Sequence, residues 1–135
     1  MSRLVDILAI GAHPDDIEIA CAGTIIKEVG NGKKVGLIDL TQGELGTRGS
    51  GELRLKEAEA SRQILGAEYR INLGFKDGFF SHNQEHLIPL IEVIRASKAG
   101  IVFANALHDR HPDHGRAGRL IAEACFLAGL PKVET

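Results

Sequence analysis

Short apolar runs rich in Val and Ile alternate along this chain with longer segments whose apolar residues recur at helical spacing, and this alternation constrains the fold most. The first run covers about residues 5–11. After Pro14 comes a stripe of Ile17, Ala20, Cys21, Thr24 and Ile25 that ends near Gly30 to Gly32. A second run, residues 35–41, leads into a glycine-rich loop. Ser50 then stands where an N-cap would start a helix carrying Leu55, Ala58 and Leu65 up to Gly66. A third run at residues 69–73 precedes a turn at Lys76, Asp77 and Gly78 and a helix carrying Leu87, Leu90, Ile91 and Ile94. Pro89 belongs in a first turn, which leaves the start of that helix open. The fourth run, residues 101–106, is followed by a last helix with Ala117, Leu120, Ile121, Ala124 and Leu127.

Four β-α units in succession predict a doubly wound, Rossmann-like parallel sheet with right-handed crossovers and helices on both faces. Ligands of such sheets bind outside the carboxyl ends of the strands. A polar segment follows each run here: His13-Pro-Asp-Asp16, residues 43–51, residues 74–78 and residues 108–114. They are expected to converge on one rim. The 135 residues form one expected domain, 1–135, and the 44% hydrophobic content is enough for a core. A formal net charge of −2 removes a general electrostatic case for nucleic acid or an anionic membrane. Asp6 interrupts the apolar stretch near the start, so neither a signal peptide nor a membrane span fits, and a cytoplasmic protein is expected. Cys21 and Cys125 lie far apart on apolar stripes and read as buried thiols.

His13 and Asp16, three apart at a strand-to-helix turn, together with His114 from another strand end, offer two imidazoles and a carboxylate. Zinc takes such ligands, and three protein ligands leave the fourth position for water, the catalytic arrangement. Iron or cobalt fits the same donors. Singly, His13 has an ordinary role as a strand-end residue bonded to backbone, and Asp16 as a carboxylate on a helix dipole. Asp15, beside a proposed ligand, either takes a proton from water or simply caps the helix. His111 precedes His114 by three, so one imidazole can bind metal while the other faces substrate as an imidazolium. Asp113 can hold that imidazolium, cap the last helix, or do both. The loop at residues 43–51 lacks the Gly-Lys-Ser/Thr ending of a phosphate cradle and follows the second strand rather than the first. Arg54, with Arg48 near, sits in a first turn where the helix dipole disfavours a cation. It either meets an anionic or hydroxyl-rich ligand or pairs with Glu52 or Glu57. His82, His86 and His108 have no useful partner spacing.

His13-Pro-Asp-Asp16 after the first strand, with His111-Pro-Asp-His114 after the fourth, resembles the LmbE/PIG-L family of zinc-dependent N-acetylglucosamine deacetylases. The resemblance runs from the first strand to the last helix. Residues 43–49 are similar to the branch that deacetylates N-acetylglucosaminyl malate in bacillithiol synthesis. The resemblance implies that His13, Asp16 and His114 bind zinc, that Asp15 is the general base, and that His111 with Asp113 supplies the electrophilic imidazolium. It further implies that Arg54, Asp77 and Glu44 hold sugar hydroxyls. The expected reaction is hydrolysis of an acetamide to acetate and a free amine.

Two other readings compete with this one. A receiver-type signalling domain would bind magnesium through an acidic pair after the first strand, but needs no histidines and requires a fifth strand. A metal-dependent phosphoesterase would use the same donors. Members of the resembled family are longer, so a C-terminally truncated domain is expected. Its fourth strand would have a bare outer edge favouring pairing, and a homo-oligomer is expected.

Overall fold

The computed structural model describes residues 2–47 and 49–135. Four parallel strands alternate with four helices: β1 (Ile7–Gly11), α1 (Asp16–Gly30), β2 (Val35–Thr41), α2 (Gly51–Leu65), β3 (Tyr69–Phe75), α3 (Gln84–Ser97), β4 (Ile101–Phe103) and α4 (Pro112–Ala128). The sheet order is β3-β2-β1-β4. After β3 the chain crosses back over the sheet to place β4 on the far side of β1, so the order reverses between β1 and β4. That reversal opens a crevice at the carboxyl ends of those two strands.

The two-residue period of a strand divides β1 between two cores. Leu8, Ile10 and Ala12 pack with Leu87, Leu90 and Ile91 of α3 and Ala117, Leu120, Ile121 and Ala124 of α4. Ile7 and Ala9 pack on the other face with Ile17 and Ile25 of α1 and Leu65 of α2. Helices thus cover both faces, as a doubly wound sheet requires.

Several local expectations need correction. The stripe on α1 is broken by Cys21, whose φ of −147° and ψ of 23° are non-helical, and the change of phase turns Ala20 and Thr24 outward while Ile17 and Ile25 stay buried. Both cysteines are only half-buried. Leu55 of α2 is exposed. Pro89 lies in the second turn of α3, where its ring leaves the Glu85 carbonyl without a helical partner, and Glu85 is exposed so that water can serve it. β4 ends at Phe103 because the side chain of Asn105 takes the Ala12 amide that a longer strand would have bonded.

Candidate functional site

Three loops at the carboxyl ends of β1, β2 and β3, with the loop from β4 into α4, surround a cavity of about 410 Å³. His13, Asp15, Asp16, Gly43, Arg54, Asp77, His111, Asp113 and His114 contribute to its wall. The convergence expected from strand-end polarity is therefore present.

His13, Asp16 and His114 each bring one ligand atom to within 4.8 Å of the others. Asp16 Oδ2 stands 3.7 Å from His13 Nδ1 and 3.3 Å from His114 Nε2. Ligands in a tetrahedron with bonds of about 2.0–2.1 Å are ~3.3–3.4 Å apart, so the donors are spaced for a transition metal. The far side of each histidine is also occupied. His13 Nε2 donates toward Asp113 Oδ2 at 2.9 Å and Asp77 Oδ1 at 3.1 Å, and His114 Nδ1 faces Asp109 Oδ2 at 3.4 Å. Carboxylates placed in this way orient metal-binding imidazoles and raise their basicity. Burial opposes a charge on His13, but hydrogen bonds to Asp16 and Asp113, with Asp77 nearby, outweigh it and raise its pKa to about 9. The same field favours any cation held among these groups. Burial works to raise Asp16 too, yet His13 and His114 keep its carboxyl below the ordinary range. The donor chemistry and spacing thus fit a divalent metal.

Asp15 is the N-cap residue of α1 but makes no side-chain cap hydrogen bond, and its carboxylate has no bonded partner among the described residues. It is exposed in the cavity wall. His111 is the N-cap residue of α4, and its Nδ1 accepts from the Asp113 amide at 3.1 Å. That bond uses the Nδ1 lone pair and leaves Nε2 as the hydrogen-bearing nitrogen. His111 thus commits Nδ1 to the last helix while its ring lines the cavity. Asp113 does not hold His111 with its carboxylate. Oδ2 accepts from His13 and from the Gly78 amide at 3.1 Å, while Oδ1 pairs with Arg116 at 2.9 Å. Burial would raise the Asp113 carboxyl, but His13 and the Gly78 amide hold it low.

The expected sugar contacts divide. Arg54 lines the cavity with no carboxylate partner among the described residues, and Lys56 takes the pairing with Glu52. Its guanidinium lies against the β2 loop: a Cβ at Gly43, where φ is 64°, would sit 2.2 Å from Arg54 Nη1. Glycine at position 43 thus serves both the left-handed turn and the close approach of the cation. Asp77 lines the cavity, but its oxygens are used by His13 and by the Leu45 amide at 2.9 Å. Glu44 stands behind the wall, where its carboxylate accepts from the Asp77 amide at 3.0 Å. Arg48 lies outside the described residues.

Three supporting residues were missed in the sequence reading: Asn105, Asp109 and Arg70. Arg70, buried in β3, bonds bidentately to Asp39 of β2, reaches Glu18 of α1 at 2.9 Å, and donates to the Pro14 carbonyl inside the His13–Asp16 turn. Burial opposes its charge, and the two carboxylates outweigh that and hold it more firmly protonated than a free arginine. Asp39 and Arg70, lone charges inside apolar strands, were the available signal.

A doubly wound sheet with, at its reversal point, a His/Asp/His group spaced to hold a metal defines an α/β protein with a candidate metal centre. The chain belongs to the PIG-L family, whose profile, described as GlcNAc-PI de-N-acetylase, matches residues 8–125. It is 37% identical to diacetylchitobiose deacetylase of Thermococcus kodakarensis, over 93% of this chain and 51% of that protein. A conserved protein from Thermus thermophilus has a similar structure, with a TM-score of 0.90 and 42% identity over 96% of this chain and 59% of that one. The N,N'-diacetylchitobiose deacetylase of Pyrococcus horikoshii, solved with an inhibitor, superposes with a TM-score of 0.86 and 32% identity, covering 93% and 51% of the two chains. The chain spans about half the length of the curated relatives it matches. Family membership sets aside the receiver reading.

Proposed function

We propose that residues 1–135 form a single domain carrying the metal site and reacting groups of an N-deacetylase that hydrolyses the acetamide of an N-acetylglucosaminyl conjugate. His13, Asp16 and His114 would hold zinc. When bound, the metal polarises the amide carbonyl and acidifies water. Asp15, uncommitted and facing the same cavity, takes the proton of the attacking water. The Nε2–H of His111 hydrogen-bonds the carbonyl oxygen as charge develops on it. The carbon–nitrogen bond then breaks, and the proton held by Asp15 passes to the leaving amine, giving acetate and the glucosaminyl conjugate with its amine free. Asp113 and Asp77 hold the orientation of His13 throughout.

The free carboxylate of Asp15 beside a three-donor metal group carries this reading. Arg54, a cation in the wall without a carboxylate partner among the described residues, supports an anionic conjugate, and N-acetylglucosaminyl malate is the substrate we propose. A hydroxyl of the sugar fits the same guanidinium. No helix among the described residues is long and apolar enough to cross a membrane, and both cysteines are free thiols. The cytoplasm is the compartment we propose, in keeping with the rarity of disulfides there. A homo-oligomer paired along β4, where Ile101 is half exposed, belongs to the same reading, and sedimentation at rising concentration checks it.

The test is zinc content together with acetate and amine release from N-acetylglucosaminyl malate and from N-acetylglucosamine, with phosphate release from a phosphomonoester run in parallel. Amine release from the malate conjugate in preference to the plain sugar is expected. Phosphate release without amine release would favour the phosphoesterase.

A further inference from the structure

Asn105 follows β4 by two residues and reaches across the sheet reversal to the end of β1. Its Oδ1 accepts from the Ala12 amide at 3.0 Å, which fixes the orientation of the side-chain amide. The NH2 group must then point the other way, and it donates to Asp16 Oδ2 at 3.1 Å. The same oxygen accepts from the His13 backbone amide at 3.1 Å. Two donors, one from the loop after β1 and one from the loop after β4, therefore hold one oxygen of a proposed ligand, and rotation of that carboxylate would break both bonds.

We infer that Asn105 is a positioning residue that fixes the rotation of the Asp16 carboxylate and so sets the metal affinity of the site. The inference rests on the reading that His13, Asp16 and His114 hold a metal. Each ligand side chain then has its own fixed partner: Asp113 for His13, Asp109 for His114 and Asn105 for Asp16. Among the described residues, only the Asn105 contact joins the end of β4 to the carboxylate. The backbone bond to Ala12 alone would make Asn105 a structural bracket, and the two roles separate by substitution. Asn105→Asp keeps an acceptor for the Ala12 amide and removes the donor to Asp16, whereas Asn105→Leu removes both.

Zinc affinity of the whole chain, measured by competition with a chromophoric chelator, tests this, with the visible spectrum of the cobalt-loaded protein as a second readout. Both Asn105 variants are expected to bind zinc about 10-fold or more weakly and to shift the cobalt band, as changes to groups behind metal ligands do. Ile91→Ala, a truncation in the α3 core away from the site, controls for lost stability and is expected to keep wild-type affinity and spectrum. Wild-type or tighter zinc binding by Asn105→Asp, with an unshifted cobalt band, overturns the inference. Failure of the wild-type chain to bind zinc overturns the site reading itself, and the inference with it.

Discussion

Asp15 occupies a capping position without capping. An aspartate at an N-cap ordinarily bonds an amide of the first turn, and here the carboxylate stays in the cavity wall instead. Its replacement should therefore leave the helix little changed while removing a base. Asp15→Asn is expected to retain zinc and lose roughly a hundredfold or more in turnover, and near-normal acetate release would remove Asp15 from the role. His114→Ala is expected to lose the metal, which elemental analysis checks directly. These positions were legible because His13-Pro-Asp-Asp16 and His111-Pro-Asp-His114 are local patterns whose spacing already places side chains together. Asn105 was not legible, since its meaning depends on Ala12, 93 residues away, and on a strand order that no local pattern encodes. The expected pairing of Asp113 with His111 failed for a related reason. Close in sequence, the two meet through the Asp113 amide, and the carboxylate turns to His13.

At the level of elements, β2 matches its expected bounds because both of its ends are marked by Gly and Lys before and a glycine loop after. The end of β4, which depends on the bond between Asn105 and Ala12, and the phase of α1, which shifts at Cys21, were misjudged. Two elements also carry consequences for stability. Arg70 ties β3, β2 and α1 together from a site where its side chain is 4% exposed and that of Asp39 is 1% exposed. Arg70→Met would strand the Asp39 carboxylate and is expected to cost about 3–5 kcal/mol in denaturant unfolding. Replacing both, with Asp39→Leu added, should recover much of that loss. Gly118 of α4 is the point where the helix rests on the β4 loop, and a Cβ there would lie 2.6 Å from the Asn105 carbonyl oxygen. Gly118→Ala is expected to destabilise by about 1–3 kcal/mol, read from the denaturation midpoint, because backbone must move to admit the methyl.

For the whole molecule, the proposed metal would link the ends of β1 and β4 and act as a ligand of the folded state alone. Free zinc at a hundredfold excess over its dissociation constant is expected to stabilise the chain by about 2.7 kcal/mol, and a chelator should return the melting temperature to that of the untreated protein. An unchanged melting curve would count against binding at the folded site. The receiver and deacetylase readings share the doubly wound architecture, so the fold class alone did not separate them, and the paired histidine motifs with family membership did.

The β1–β4 ladder has three paired positions, Ile7 with Ile101, Leu8 with Val102 and Ala9 with Phe103. The neighbouring β1–β2 and β2–β3 ladders close over much shorter stretches of chain. During synthesis, the first three strands can therefore assemble while the second histidine motif is still unmade, and non-local pairings close late. Any metal capture by His13 and His114 therefore waits on the last strand, because only a chain that has docked β4 brings the two together.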